Sequence, residues 1–253
     1  MYTLRTRFKR DIVTEFLPPA RPTKKQRVII LAGGMPTVPN KKDFLKFFSD
    51  KGYWVFHPRY RGTWESDGKL FARSPHQDIL DVISGIHQNF ISIWDYNLKD
   101  KKPFKLSPSE IYVIGASFGG PAAILASRDK RVTKTMIFSP VIDWTKSGKA
   151  EPLNLLIKFT DQAFGNGYRI AKNGWKKIAS GKFYNPVNHI KEIDGSKLLF
   201  VQAKDDTVCR YSETKKFAAA VNSKLITLPR GGHLGSSLLL LPRFYKVFQK
   251  FTK

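Results

Sequence analysis

Glu110-Ile111-Tyr112-Val113-Ile114-Gly115-Ala116-Ser117-Phe118-Gly119-Gly120-Pro121-Ala122-Ala123-Ile124-Leu125-Ala126-Ser127 is the stretch on which the reading of this chain turns. Its first five residues form an almost unbroken apolar, β-branched and aromatic run, the mark of a strand covered on both faces. From Phe118 the pattern becomes helical and continues to Arg128. Between the two, Gly115-Ala116-Ser117-Phe118-Gly119 fits G-x-S-x-G, a turn so tight that it lifts the serine above the sheet, with glycines permitting the backbone to approach closely. The helix beginning there aims free amides and the positive end of its dipole at any negative charge that develops nearby. In a chain with 18 glycines the string alone is weak; a strand before it and a helix after it make it specific.

The same alternation extends in both directions. Further strands are expected at Arg27 to Ala32, Tyr53 to His57, Val132 to Phe138, Lys197 to Gln202 and Lys224 to Leu228, and further helices at Lys41 to Asp50, Pro75 to Phe90, Ser212 to Val221 and Pro242 to Phe251. Strands alternating with helices predict an α/β fold, a mostly parallel central sheet with helices on both faces. Ahead of it, Leu4 to Lys9 and Ile12 to Phe16 can pair as an antiparallel edge, followed by a linker with Pro18, Pro19 and Pro22. Ser74 is placed to cap the helix that Pro75 opens, and Ile79, Val82, Ile83, Ile86 and Phe90 supply its apolar face. From 141 to 194 the alternation breaks into short apolar stretches interrupted by Gly148, Gly165, Gly167, Gly174 and Gly181, which predicts a small helical cap inserted within one domain spanning 1–253.

A serine is a weak nucleophile and needs a base, which in turn needs an orienting carboxylate, in the chain order serine, acid, histidine. Asp205 and Asp206 lie in the loop after the run ending at Gln202, and Pro229-Arg230-Gly231-Gly232-His233-Leu234 hangs a histidine after the last strand. In a parallel sheet these loops leave by the same edge as the serine turn. Catalytic candidates are therefore Ser117 as nucleophile, His233 as general base, and Asp206 or Asp205 as the acid. His57, His76, His87 and His189 lack this placement and read as structural. Gly33-Gly34 precedes Met35-Pro36 rather than the free amides of a phosphate-cradling helix, so no dinucleotide site is expected. Cys209 has no glycine-bracketed turn of its own. The aromatic residues Trp144, Phe159, Phe164, Tyr168 and Trp175 read first as the core of the cap and second as the lining of an acyl pocket.

With these residues in place, the chain from about Arg27 onward resembles the α/β-hydrolase superfamily, and within it the serine aminopeptidase, monoacylglycerol lipase and prolyl oligopeptidase-like branches. Tyr60-Arg61-Gly62-Thr63-Trp64-Glu65-Ser66-Asp67-Gly68 is similar to the R-G-x-G-x-S-x-G loop of those branches, with Trp64 in place of the second glycine. The resemblance puts the acid three residues after a small residue ending the strand, which selects Asp206 after Ala203; Cys209 stands where many relatives have proline. It also implies an oxyanion hole from the amide of Phe118 and one from Ala32-Gly33-Gly34-Met35-Pro36, where relatives carry a histidine-glycine pair and this chain has Ala32; Gly34 is the first choice of donor and Met35 the second. The implied activity is cleavage of a carboxylic ester of short or medium acyl chain through an acyl-enzyme, without metal or organic cofactor. A serine peptidase or aminopeptidase of the prolyl oligopeptidase-like type is the sibling reading. A non-catalytic hydrolase-fold protein binding anionic partners is the alternative of a different class.

Composition sets the remaining bounds. At 253 residues, 42% of them hydrophobic and 13% aromatic, the chain can bury a substantial core. Its 44 Lys and Arg against 20 Asp and Glu give a formal charge of +24. That surplus favours anionic partners, but it is spread from Arg5 to Lys253 without a nucleic-acid-binding signature. The expected partners are a small ester or peptide substrate and, weakly, anionic surfaces, with no specific nucleic acid. The single cysteine excludes an intramolecular disulfide and a cysteine zinc site. With no apolar stretch behind the basic start, the expected location is the cytoplasm.

Overall fold

Continuous apolar runs become strands here because each has two faces to cover. The computed structural model describes residues 3–21, 23–93, 103–146 and 148–253; Pro22 of the expected linker lies outside them. The described strands are β1 (Leu4–Phe8), β2 (Ile12–Leu17), β3 (Arg27–Ala32), β4 (Tyr53–Pro58), β5 (Glu110–Ala116), β6 (Lys134–Phe138), β7 (Leu198–Ala203) and β8 (Lys224–Leu228), in the sheet order β1-β2-β4-β3-β5-β6-β7-β8. From β4 to β8 every pairing is parallel, with Ala32 opposite Gly115, Ala116 opposite Phe138 and Ala203 opposite Leu228. The helices are α1 (Lys42–Asp50), α2 (His76–Ile86), α3 (Gly119–Ala126), α4 (Leu153–Phe164), α5 (Gly174–Ala179), α6 (Tyr211–Ala220) and α7 (Pro242–Phe251).

Side-chain alternation divides the core into two layers. On β3, Val28, Ile30 and Ala32 join Ile79, Val82 and Ile83 of α2, while Ile29 and Leu31 join Phe44 and Phe48 of α1 and Phe244 and Phe248 of α7. β5 divides in the same way, Ile111 and Val113 to the first layer and Tyr112 and Ile114 to the second. Each fully buried side chain of this size contributes about 1.5–3 kcal/mol relative to exposure. The expected N-terminal pair is present. Lys9 at φ 49° and Arg10 at φ 68° turn the chain between β1 and β2, with β1 outermost and β2 antiparallel to both β1 and β4.

Two local expectations are corrected. α2 stops at Ile86, where the chain turns through the Gln88 amide on the Gly85 carbonyl, and Phe90 reaches the same core from outside the helix by pairing with Phe104. The Ser74 hydroxyl bonds the His76 ring at 2.7 Å and does not cap α2; its carbonyl accepts from the Gln77 amide instead. Between β6 and β7 the chain carries α4, α5 and short 3-10 turns. This segment is stitched to the loop after β4 by backbone bonds from Trp64 to Gly167 at 2.8 Å, Arg169 to Gly62 at 2.7 Å and Leu70 to Arg169 at 2.8 Å. β3 lies between β4 and β5, so the chain reverses its direction of travel across the sheet there, the place where loops of an open parallel sheet part to leave a crevice.

Candidate active site

At the end of β5, Ser117 adopts a φ of 52°, inside the left-handed region that L residues avoid. The turn is clamped on both sides. The Ser117 amide donates to the Phe138 carbonyl at 3.0 Å, and the Ser117 carbonyl accepts from Gly120 at 2.9 Å. The glycines of G-x-S-x-G are required sterically: a Cβ on Gly119 would come within 2.1 Å of the Ala32 carbonyl oxygen, and one on Gly115 within 2.5 Å of the Gly119 carbonyl oxygen. Helix α3 thus packs against the end of β3 and holds the serine at the sheet edge.

The loop after β7 separates the two neighbouring carboxylates. Asp206 is buried, and its Oδ2 and Oδ1 lie 3.1 and 3.2 Å from His233 Nδ1. Asp206 Oδ1 also accepts from the Val208 and Cys209 amides at 2.9 Å, and Oδ2 from Gln202 Nε2 at 3.1 Å. Burial pushes this carboxyl up, but the bonds from His233 and the Cys209 amide outweigh it and hold it below the ordinary carboxylate value. Asp205 turns to solvent and accepts from the Gly232 amide at 2.9 Å and the Gly231 amide at 3.3 Å, which lower its pKa. One aspartate contacts the imidazole, and the other ties down the loop that carries it. The Leu234 amide, bonded to Ser139 Oγ at 3.0 Å, fixes that loop from the far side.

Ser117 and His233 line one cleft of about 470 Å³, together with Gly34, Met35, Lys41 and Glu151. A second, tighter hollow of about 30 Å³ adjoins Ser117 between Phe118, Trp144, Leu156 and Cys209. A Cβ on Gly34 would stand 3.7 Å from Ser117 Cβ, so the loop after β3 passes directly over the nucleophile turn. Among the described residues the amides of Phe118, Gly34 and Met35 donate to no protein acceptor. The Phe118 carbonyl is held at 2.6 Å by the hydroxyl of the buried Tyr184.

The other expectations find their places as well. His57 is buried with Nδ1 2.9 Å from Arg59, and burial, then the charges of Arg59 and Lys41, push its pKa well down. His189 sits between Arg128 and Glu192. Burial pushes the Cys209 thiol well up, reinforced by the charges of Asp206 and Glu151, which is the opposite of an activated nucleophile. Of the cap aromatics, Trp144 lines the tight hollow and Phe159 the larger cleft, while Phe164 and Tyr168 pack on Trp64. Trp64 takes a φ of 47°, in the left-handed region that favours glycine. Sequence reading missed Glu151, Lys41, Ser139 and Gln202. Ser139 directly follows β6 and Gln202 lies near the end of β7, positions at the same sheet edge that could have drawn attention, but Glu151 belongs to no motif.

A parallel sheet with a strained serine turn, an aspartate-bound histidine and a shared cleft at one edge defines a serine hydrolase of the α/β-hydrolase fold. Residues 42–249 match the sequence profile of the prolyl oligopeptidase family, and the chain belongs to that family. It is an enzyme of this class rather than solely a binding module. A comparison with curated protein sequences found no match. Among solved structures, an esterase from Pyrococcus furiosus is similar at 17% identity and a TM-score of 0.67, covering 99% of this chain and 89% of its own. An α/β hydrolase from Penicillium matches at 16% identity and a TM-score of 0.66, covering 100% and 97%. An acylaminoacyl peptidase from Pyrococcus horikoshii matches at 17% identity and a TM-score of 0.63, over 99% of this chain but only 41% of that one. Among the described residues no helix is long and apolar enough to cross a membrane.

Proposed function

We propose that the protein hydrolyses carboxylic esters of short acyl chain, with Ser117 as nucleophile, His233 as general base and Asp206 as the carboxylate that orients the imidazole. The observation that carries this reading is the Asp206–His233 contact of 3.1 Å on a histidine that shares its cleft with Ser117. His233 takes the hydroxyl proton as Ser117 attacks the ester carbonyl, and Asp206 stabilises the imidazolium; the histidine then protonates the leaving alcohol. The amides of Phe118 and Gly34 receive the oxyanion, each such donor being worth about 3–4 kcal/mol in the transition state. Water activated by the same histidine releases the acid.

The short-chain preference rests on the tight hollow of about 30 Å³ that adjoins Ser117 between Phe118, Trp144, Leu156 and Cys209. The segment 141–194 acts as a small cap, supported by Glu151 and Phe159 on the cleft wall. Family membership favours a second reading, peptide cleavage by the same machinery. A panel of p-nitrophenyl esters from acetate to octanoate beside aminoacyl anilides separates the two. Acetate or butyrate turnover lost in Ser117→Ala is the expected result, and anilide turnover without ester turnover would reverse the assignment. Weak attraction to anionic surfaces belongs to the same reading, on the +24 charge, and so does a cytoplasmic setting, on the single buried cysteine.

A further inference from the structure

The proton that His233 gives up must reach the leaving group, so the alcohol half of an ester lies on the imidazole side of Ser117 and the acyl half on the other. His233 borders the cleft of about 470 Å³ and not the tight hollow. That cleft is within the roughly 300–1,000 Å³ typical of small-molecule sites. Its wall on the β3 side is the segment from Asn40 to Phe44, where the chain enters α1.

Lys41 in that wall is half-buried, and among the described residues it makes no hydrogen bond or ion pair through its side chain. Lys42 on the same wall is exposed, so its ammonium keeps its water, and Lys46 pairs with Asp50 at 2.6 Å, Lys146 with Glu213 at 3.1 Å, while Lys51 lies over the rings of Phe47 and Tyr245. Asp43 and Glu151 also border the cleft, yet neither pairs with Lys41. Burial alone lowers the Lys41 pKa, with no carboxylate opposing it. An ammonium taken partly out of water without a partner loses hydration and gains nothing in the free protein. A ligand anion returns that loss.

We propose that Lys41 is the recognition point for a carboxylate on the alcohol portion of the substrate, so that the preferred substrates are short-chain acyl esters of hydroxy acids. This rests on the ester hydrolysis proposed above. It adds a requirement that reading does not contain, a negative charge on the group that leaves.

The test is a matched pair, 3-acetoxybenzoate and its methyl ester, which share an acyl group and a ring and differ in one charge. The ratio of kcat/KM, anionic over neutral, is expected to be about 10 in the wild type, about 1 in Lys41→Met, and within about threefold of wild type in Lys41→Arg, which restores the charge. Lys46→Met, one turn further along α1, is expected to leave the ratio unchanged. Binding of the product 3-hydroxybenzoate by calorimetry needs no turnover, and Lys41→Met should weaken it at least threefold. If neither ester is cleaved, the hydrolytic assignment fails while product binding still decides on Lys41. A Lys41→Met protein with an unchanged ratio and unchanged product affinity would overturn the proposal.

Discussion

Ser117 at φ 52° occupies a backbone conformation that costs an L residue about 1–2 kcal/mol. Alanine at this position keeps that strain and glycine relieves it, so Ser117→Gly should be more stable than Ser117→Ala by about 1 kcal/mol in urea melts, the reverse of the order at ordinary positions. Both variants should lose ester turnover by at least about 1,000-fold, as expected for removal of a nucleophile. The paired carboxylates support a second comparison. Asp206→Asn removes the group facing His233 Nδ1 and should lower kcat by about 10,000-fold. Asp205→Asn weakens only the bonds to the Gly231 and Gly232 amides, and should lower kcat about tenfold or less while reducing stability by about 1 kcal/mol. Equal losses in the two variants would mean that the loop acts as a unit and that the sequence rule favouring the residue three after Ala203 has no catalytic content. Adjacent aspartates are indistinguishable by composition; the direction in which the β7 loop turns separates them.

The loop from Tyr60 to Gly68 is held by its neighbours rather than by its own propensities. Arg61 bonds Asp11, Asp78 and Asp81, and Ser66 Oγ accepts from the Val13 amide and donates to the Arg59 carbonyl. Trp64 sits within it at φ 47°, with its ring against Phe164 and Tyr168. Contact with those rings offsets the backbone cost, so truncation should be destabilising, but unequally: Trp64→Gly is expected to melt above Trp64→Ala, because only the alanine keeps the strain. The elements most legible in the sequence were those with two apolar faces. The limits of β3 fall where the run of Arg27 to Ala32 placed them, since a strand in the covered middle of a parallel sheet needs apolar residues throughout; β8, at the edge and only partly buried, also keeps the limits of Lys224 to Leu228. The sequence pattern extends α2 to Phe90 because Phe90 continues the helical spacing while pairing with Phe104 outside the helix, and periodicity records burial without recording backbone path. The segment 141–194 was legible only as an interruption. Its helix α4 buries just Leu156 and Thr160, leaving Leu155 and Phe159 about half exposed, so its pattern carries no clean face. The segment holds Glu151, a cleft residue that sequence reading did not find.

At the scale of the whole molecule, a formal charge of +24 means that acidification adds positive charge to a chain already repelling itself. Two histidines add a specific penalty. His76 is held neutral, its pKa pushed down to about 4 by burial and by the Arg128, His189 and Arg73 charges, and His57 lies well below its ordinary value for similar reasons. For such a group the unfolded chain takes up a proton near pH 6.5 while the folded chain does not, so stability is complete above that pH. It declines as the pH falls from about 6.5 toward 4, by up to ~1.4 kcal/mol per unit for each histidine. Asp206, Asp129 and Asp143 act lower down: their folded pKa values are depressed, so their contribution is present above the unfolded value near 4 and is lost only as the pH drops through the folded one. The two windows can be separated by mutation and by salt. His76→Gln, which has no charge to gain, should flatten the melting temperature profile between pH 6.5 and 4.5 relative to wild type and leave the fall below pH 4 in place. Added salt should reduce the part due to net repulsion and leave most of the share of partly buried His76, because a short-range desolvation cost is not screened. If wild type and His76→Gln lose melting temperature in parallel between pH 6.5 and 4.5 at both low and high salt, His76 is protonated in the fold and the neutral burial assigned to it is wrong.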